Sequence, residues 1–343
     1  MRMFNNKSIL ITGGAGLFGR CFIETIFRDY PGVKRVIVYS RDVQKHEEIQ
    51  QLYPKRQFPQ LRFFIGDVRD CERLIRACEG VNIIIHAATI ASIEAAEYNP
   101  EECVKTNIIG AENVIDAALK TGVHDVISLS SDKACAPLNL YGATQLVSDK
   151  LFVAANNMKG SKDIRFSVVR YGNVMGSKGS VIPLFLKRKE LGGRSLPITD
   201  KRMTRFLISN PEVVTAVEFA LEHHMGGEIF VPKSPSYRIT DLATAIAPNM
   251  EQLEVGIRAG EKIYEELISR ADSVNTIEMD GYYAILPSLS FTGQRDMQHY
   301  LEHYSARLVN EGFRYCSNEN PVFETVDTLR DKIRLYINPS IKF

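Results

Sequence analysis

The chain has 343 residues, 45% hydrophobic and 24% charged, enough to bury one large core or a main domain plus a smaller one. Lys+Arg 42 against Asp+Glu 41 leave a formal net charge of +1, which excludes a global basic field for nucleic acid or an anionic membrane and makes any anion selectivity local. The six cysteines form no CxxC pair and no apolar run approaches the ~20 residues of a membrane span, so reduced thiols, no metal site, no membrane anchor and a cytoplasmic protein are expected.

In chain order, strands are expected at Ser8–Thr12, Arg35–Tyr39, Leu61–Ile65, Asn82–His86, Asp125–Leu129 and Arg165–Arg170. They are rich in Ile and Val, as strands buried on both faces of a parallel sheet must be. Helical patterns at Leu17–Arg28, Asp70–Cys78, Glu101–Thr121 and Tyr141–Asn156 alternate with them. The repeated βα order predicts an α/β fold with a doubly wound parallel sheet and a ligand crevice at its switch point. After about Gly172 the alternation breaks up around Gly176, Gly179, Pro183, Gly192, Gly193 and Pro197. Residues 1–172 are therefore read as a dinucleotide-binding domain and 173–343 mainly as a smaller C-terminal substrate-binding region, with returns to the main sheet allowed. Near the C-terminus, Tyr300, Tyr304, Leu308 and Phe313 are spaced to pack a helix.

The first strand runs into Thr12-Gly13-Gly14-Ala15-Gly16-Leu17-Phe18-Gly19. Glycines permit a tight turn and close backbone approach, and the helix that follows offers N–H groups and a positive dipole end to a pyrophosphate. Gly13, Gly16, Leu17, Phe18 and Gly19 are the expected contacts. The second strand ends Val38-Tyr39-Ser40-Arg41-Asp42, without an acidic tip for an unmodified ribose 2′-hydroxyl. Ser40, Arg41 and Lys45 instead suit a 2′-phosphate, favouring NADP. In the competing reading Arg41 and Lys45 are surface charges and Asp42 binds the ribose. Asp67 and Val68 close the third strand, Asp67 facing the adenine edge or capping the next helix. Ala87 and Ala88 close the fourth.

The fifth strand ends in Ser128-Leu129-Ser130-Ser131-Asp132-Lys133, and Tyr141-Gly142-Ala143-Thr144-Gln145 opens a helix. With Thr106-Asn107-Ile108-Ile109-Gly110-Ala111-Glu112-Asn113 before them, these segments resemble the extended Rossmann branch of the short-chain dehydrogenase/reductases acting on nucleotide sugars. Asn139-Leu140-Tyr141-Gly142-Ala143, Arg170-Tyr171-Gly172-Asn173-Val174, Arg202-Met203-Thr204-Arg205-Phe206, Gly256-Ile257-Arg258 and Gly260-Glu261-Lys262 narrow the likeness. Over most of residues 5–290 the chain is similar to the configuration-inverting UDP-N-acetylglucosamine 4,6-dehydratases of the pseudaminic acid pathway. That resemblance implies an internal redox cycle: carbon 4 is oxidised by NADP, water is lost across carbons 5 and 6, and the hydride returns to carbon 6. It makes Tyr141 the base at the 4-hydroxyl, Lys133 the acceptor of the carbon 5 proton and Asp132 the acid for the departing hydroxyl. A close carboxylate–amine pair is expected to tune both groups toward neutral pH. Ser131, Asn173, Arg205, Arg258 and Glu261 are the substrate residues it implies, the arginines for a diphosphate. A homo-oligomer, with a hexamer as one candidate, follows from the same resemblance.

Two departures accompany it. The lysine four residues after the tyrosine in the family is Gln145 here, which can hydrogen-bond a ribose but carries no charge. After His86-Ala87-Ala88 the chain reads Thr89-Ile90-Ala91 where the family has Leu-Lys-His. Three readings remain open at this point: a working dehydratase, an NADP- and UDP-sugar-binding pseudoenzyme, and a UDP-sugar epimerase or reductase.

Overall fold

The computed structural model describes residues 3–177, 179–288, 296–341 and 343. Strands β1 (Ser8–Thr12), β2 (Arg35–Ser40), β3 (Leu61–Ile65), β4 (Ile83–His86), β5 (Asp125–Ser131) and β6 (Arg165–Tyr171) pair in parallel in the order β3-β2-β1-β4-β5-β6. Their side chains feed two helix layers in alternation, as the period-2 geometry of a strand requires. Ile9 and Ile11 join Phe22, Ile23 and Ile26 of α1 (Leu17–Asp29). Leu10 joins a second cluster that lies against α3 (Cys71–Cys78), α6 (Gly110–Thr121) and α7 (Leu140–Met158).

The helix α2 (Val43–Leu52) escapes the apolar pattern because only His46 and Ile49 of it are buried; Asp42 caps it by accepting from the Lys45 N–H. α4 (Ile93–Tyr98) is short and capped by Ser92. The segment expected as one helix over Glu101–Thr121 is helical throughout but not uniform. α5 (Pro100–Val104) and α6 flank a π-helical turn at Lys105–Ile109, an irregularity that side-chain periodicity does not reveal.

Beyond β6 the chain leaves the sheet and returns. β7 (Asn173–Val174), β9 (Thr204–Ile208) and β11 (Ser236–Arg238) form a small sheet, and β8 (Ser195–Ile198) pairs with β12 (Glu251–Glu254). These pack with α8 (Val181–Glu190), α10 (Ile239–Ile246) and α12 (Val326–Tyr336) around Phe185, Leu196, Leu242 and Leu329. α9 (Asn210–His223) contacts α1, and β10 (Ile229–Pro232) adds to the main sheet parallel to β6. β14 (Thr276–Glu278), β15 (Tyr282–Ile285) and β16 (Arg307–Leu308) extend it antiparallel to ten strands, while β13 (Glu266–Ile268) pairs with β17 (Tyr315–Cys316). Tyr300 and Tyr304 lie on α11 (Met297–Tyr304), but Leu308 is in the exposed edge strand and Phe313 beyond it, so the helix expected from their spacing stops at Tyr304. All six cysteines are free thiols. Among the described residues no helix is long and apolar enough to cross a membrane.

Candidate active site

The turn after β1 is a cradle that side chains would fill. Gly13 has φ +65°, and a Cβ there would stand 2.9 Å from the Ala87 carbonyl; at Gly19 a Cβ would meet the Gly14 carbonyl oxygen at 2.1 Å. Gly16 is the N-cap of α1 and offers no side-chain hydrogen bond, so the first N–H groups of α1, at Leu17 and Phe18, are open to an anion. Thr12 joins this turn to the end of β4: its Oγ1 accepts from the Ala87 and Ala88 N–H groups at 3.2 and 3.3 Å and lies 2.7 Å from His86 Nδ1. Burial pushes His86 down to about 4, so this link is neutral at pH 7. A dinucleotide pyrophosphate fits such a turn.

At the end of β2 the expected phosphate-binding groups are gathered but engaged. Ser40 Oγ lies 2.8 Å from His46 Nε2, Arg41 pairs with Asp67 at 3.3 Å, and Lys45 pairs with Asp42 at 2.7 Å. Asp67 caps no helix, since Asp70 does that for α3; it also holds Arg69, at 2.6 Å. The Val68 side chain is core, packed beside Gly110 of α6.

β5 ends in a short turn, Asp132–Ala134. Ser131 Oγ donates to Asp132 Oδ1 at 2.8 Å and accepts from the Lys133 N–H at 3.2 Å. α7 starts against this turn. Asn139 caps it by accepting from the Gly142 N–H and donates to the Gly260 carbonyl at 2.8 Å. Position 142 must be glycine, because a Cβ there would lie 2.3 Å from the Lys133 carbonyl oxygen. That close approach brings Tyr141 beside Ser131 and Lys133. Burial pushes the Tyr141 phenol up to about 12, offset in part by the Ser131 hydrogen bond and the Lys133 charge.

Lys133 Nζ lies 3.0 Å from Asp132 Oδ2 and 3.2 Å from Glu265 Oε1. Burial alone would lower its pKa, but the two carboxylates outweigh it and hold the ammonium above the ordinary lysine range. This corrects the expectation that the pair tunes its amine toward neutral pH, which counted one carboxylate where there are two. Gln145 is buried, its Oε1 accepting from Thr89 Oγ1 at 3.1 Å; Thr89 also reaches Asn107 Oδ1 at 3.1 Å. Ile90 packs with Ile93 and Leu140 against Tyr141, Ala96 and Cys103. An apolar side chain at position 90 and a neutral amide at position 145 thus stand where the sequence departs from the pattern it resembles.

Sequence reasoning also missed the tie beneath this cluster. Asp149 of α7 accepts from Ser130 of β5 and Arg170 of β6, both at 2.9 Å, and Arg170 donates to the Leu267 carbonyl of β13 at 3.1 Å. No local signal marks these partners, which meet only through the tertiary fold.

A cavity of about 290 Å³ opens beside Lys133, walled by Asn173, Ser180, Arg258, Glu261 and Glu265 among others. Asn173 Oδ1, Ser180 Oγ, Glu261 Oε2 and Glu265 Oε2 are buried there without a hydrogen-bond partner, acceptors suited to a ligand rich in hydroxyl and N–H groups. Arg205 also lines it, but its Nη1 donates to the Thr204 and Ile263 carbonyls at 2.8 and 2.9 Å, and its Nη2 to the Lys262 carbonyl at 2.9 Å and Glu261 at 3.3 Å. Those bonds fasten the Arg258–Glu265 loop, and a diphosphate must displace one to engage Arg205. Arg258 is exposed and, among the described residues, has no side-chain partner.

Residues 9–287 match the polysaccharide biosynthesis protein family. The UDP-N-acetylglucosamine 4,6-dehydratase (inverting) of Campylobacter jejuni subsp. jejuni serotype O:2 is 51% identical over 332 residues, 96% of this chain and 98% of that one. The UDP-glucose 4-epimerase of Rickettsia canadensis is 40% identical over 292 residues, 82% and 84% of the two chains. Among solved structures, Pen from Bacillus thuringiensis superposes with a TM-score of 0.85 at 32% identity, covering 96% of this chain and 98% of that one.

Proposed function

The chain belongs to the polysaccharide biosynthesis protein family, and from that premise we propose that it is a nucleotide-sugar 4,6-dehydratase, acting in the cytoplasm on UDP-N-acetylglucosamine with NADP as its resident cofactor. One observation carries the reading: Lys133, in the wall of an acceptor-lined cavity, pairs with Asp132 at 3.0 Å, with the Tyr141 phenol beside the pair.

The glycine turn at Gly13, Gly16 and Gly19 holds the pyrophosphate, Ser40, Arg41 and Lys45 the 2′-phosphate, and Gln145 the nicotinamide ribose. Bound there, the dinucleotide supplies a hydride acceptor for carbon 4 and a donor for carbon 6. Tyr141 takes the proton of the 4-hydroxyl. The 4-ketone makes the neighbouring carbon 5 proton acidic, so an amine at that position removes it while a carboxylic acid protonates the 6-hydroxyl. Lys133 and Asp132 fill these two roles. An ammonium cannot accept a proton, so the reactive form is the one in which Lys133 has passed its proton across the 3.0 Å contact to Asp132. Arg258 meets the diphosphate, and Glu261, Asn173 and Ser131 take hydroxyl and N–H groups of the nucleotide sugar.

A UDP-sugar epimerase shares the oxidation at carbon 4 but has no elimination to perform. The Asp132–Lys133 pair, with its carboxylate buried, has a task in dehydration that epimerisation lacks. Incubation with UDP-N-acetylglucosamine, followed by mass spectrometry, tests the proposal. Loss of one water supports it, and a product of unchanged mass with inverted carbon 4 overturns it in favour of an epimerase.

A further inference from the structure

Glu265 stands just before β13, far along the chain from the turn that carries Lys133. Its Oε1 nevertheless lies 3.2 Å from Lys133 Nζ and 3.7 Å from Arg205 Nε, linking the two cations. The backbone is pinned on both sides: the Glu265 N–H donates to Ser317 Oγ at 2.9 Å, and its carbonyl accepts from the Ser317 N–H at 2.8 Å. Ser317 Oγ in turn hydrogen-bonds Thr204 Oγ1 at 2.7 Å. Glu265 is 2% exposed and forms part of the cavity wall, yet its Oε2 has no partner. A buried carboxylate serving structure alone is expected to spend both oxygens on donors, so a spare acceptor in a cavity wall asks for a functional reason. The ionisable groups around it are Asp132 and Lys133 from the strand-end turn, Arg205 from β9, Tyr237 from β11 and Glu261 from the loop before it.

We propose that Glu265 is a positioning residue for the elimination, fixing Lys133 Nζ at the cavity wall where it meets the carbon 5 proton. The inference rests on the dehydratase reading. Its proton count closes. Lys133 first gives one proton to Asp132, leaving an amine and a carboxylic acid. The amine lone pair then takes the carbon 5 proton, and the C–H electron pair moves into the enolate. The enolate expels the 6-hydroxyl, which leaves as water with the Asp132 proton. Lys133 ends as ammonium and Asp132 as carboxylate, their starting forms, while Glu265 neither gives up nor takes a proton and no electrons are exchanged with the protein. Because Lys133 is an ammonium at the start and at the end of this step, the Glu265 charge stabilises both forms alike, and what the carboxylate contributes is the placement of Nζ, 3.2 Å from its Oε1.

Two variants and two readouts test this. Glu265→Gln keeps the shape and removes the charge; Glu265→Asp keeps the charge and draws it back from Nζ. The first readout needs no turnover: acetylation of Lys133 by acetic anhydride at pH 9, followed at its tryptic peptide against exposed lysines. Only the neutral amine reacts, so one unit of lost pKa raises the rate about tenfold, and Glu265→Gln is expected to reach at least that. The second is exchange of carbon 5 hydrogen with heavy water during turnover of UDP-N-acetylglucosamine, expected to fall at least about tenfold in Glu265→Asp, whose shorter arm withdraws the anchor from Nζ, and less in Glu265→Gln, whose amide oxygen still accepts from Nζ. Wild-type labelling and exchange in both folded variants would overturn the role of Glu265 alone. A wild-type protein that binds the nucleotide sugar but never exchanges carbon 5 would overturn the dehydratase reading itself.

Discussion

Replacing Gln145 with lysine is expected to accelerate the reaction, because it puts a cation on the helix face that carries a phenol kept protonated chiefly by burial. With the Tyr141 phenol pushed up to about 12, chiefly by burial, only about one molecule in 10⁵ holds the phenolate at pH 7. Gln145 lies four residues on, on the same face of α7, and its amide already meets a hydroxyl at Thr89 that can accept from an ammonium. A cation there favours the phenolate. One unit of lowered pKa is ~1.4 kcal/mol, or tenfold more phenolate, and the weaker base returns part of that, leaving a net gain of roughly three- to tenfold. The sign for pH follows directly. The rate rises with pH as the phenol ionises, so lowering its pKa moves the rising limb about one unit toward acid. Burying an ammonium where an amide sat costs stability, so the variant is expected to melt at a lower temperature. Initial rates of water loss from pH 6 to 10 provide the assay. A folded Gln145→Lys protein whose rate and rising limb match the parent would refute the reasoning.

Asp132→Asn and Lys133→Ala are each expected to abolish dehydration while leaving NADP affinity, measured by calorimetry, within about twofold; near-normal dehydration in either would remove the pair from the elimination. Arg41→Ala should weaken NADP at least roughly tenfold and scarcely change NAD, because a charge-assisted contact to a 2′-phosphate is worth about 1.5–3 kcal/mol. Equal losses for both cofactors would return Arg41 to its surface pair with Asp67. Gly13→Ala places a side chain at φ +65° and 2.9 Å from the Ala87 carbonyl. A strain of about 1–3 kcal/mol should lower the melting temperature and weaken both dinucleotides alike, and unchanged calorimetric affinity would argue against the turn as their cradle.

The main sheet was legible because strands buried on both faces must be apolar at nearly every position, and Ser8–Thr12 and Ile83–His86 have no exposed residue. α2 was not, since a surface helix with two buried side chains leaves no apolar stripe to read. Tyr141, Asp132 and Lys133 stood out because they sit close together in sequence at the end of a strand and the start of a helix. Glu265 could not stand out. It is one acidic residue in a loop, and only the pairing of β13 with β17 and the Ser317 contacts bring it to Lys133. The direction of the Lys133 shift was misjudged for the same reason, since the second carboxylate comes from a distant segment. Arg205 was legible as an arginine near the cavity but not as one already engaged by three carbonyls and a carboxylate.

The central claim is an internal cycle in which Tyr141, Lys133 and Asp132 move protons while the hydrogen removed from carbon 4 comes back to the same sugar. Incubating the NADP-loaded protein with UDP-N-acetylglucosamine deuterated at carbon 4, in ordinary water, tests it most directly. The account predicts a product lighter by one water, with the deuterium in its carbon 6 methyl group by NMR. Intact substrate after prolonged incubation, with NADP and UDP-sugar binding both demonstrated, or deuterium retained at carbon 4 of the product, would contradict it.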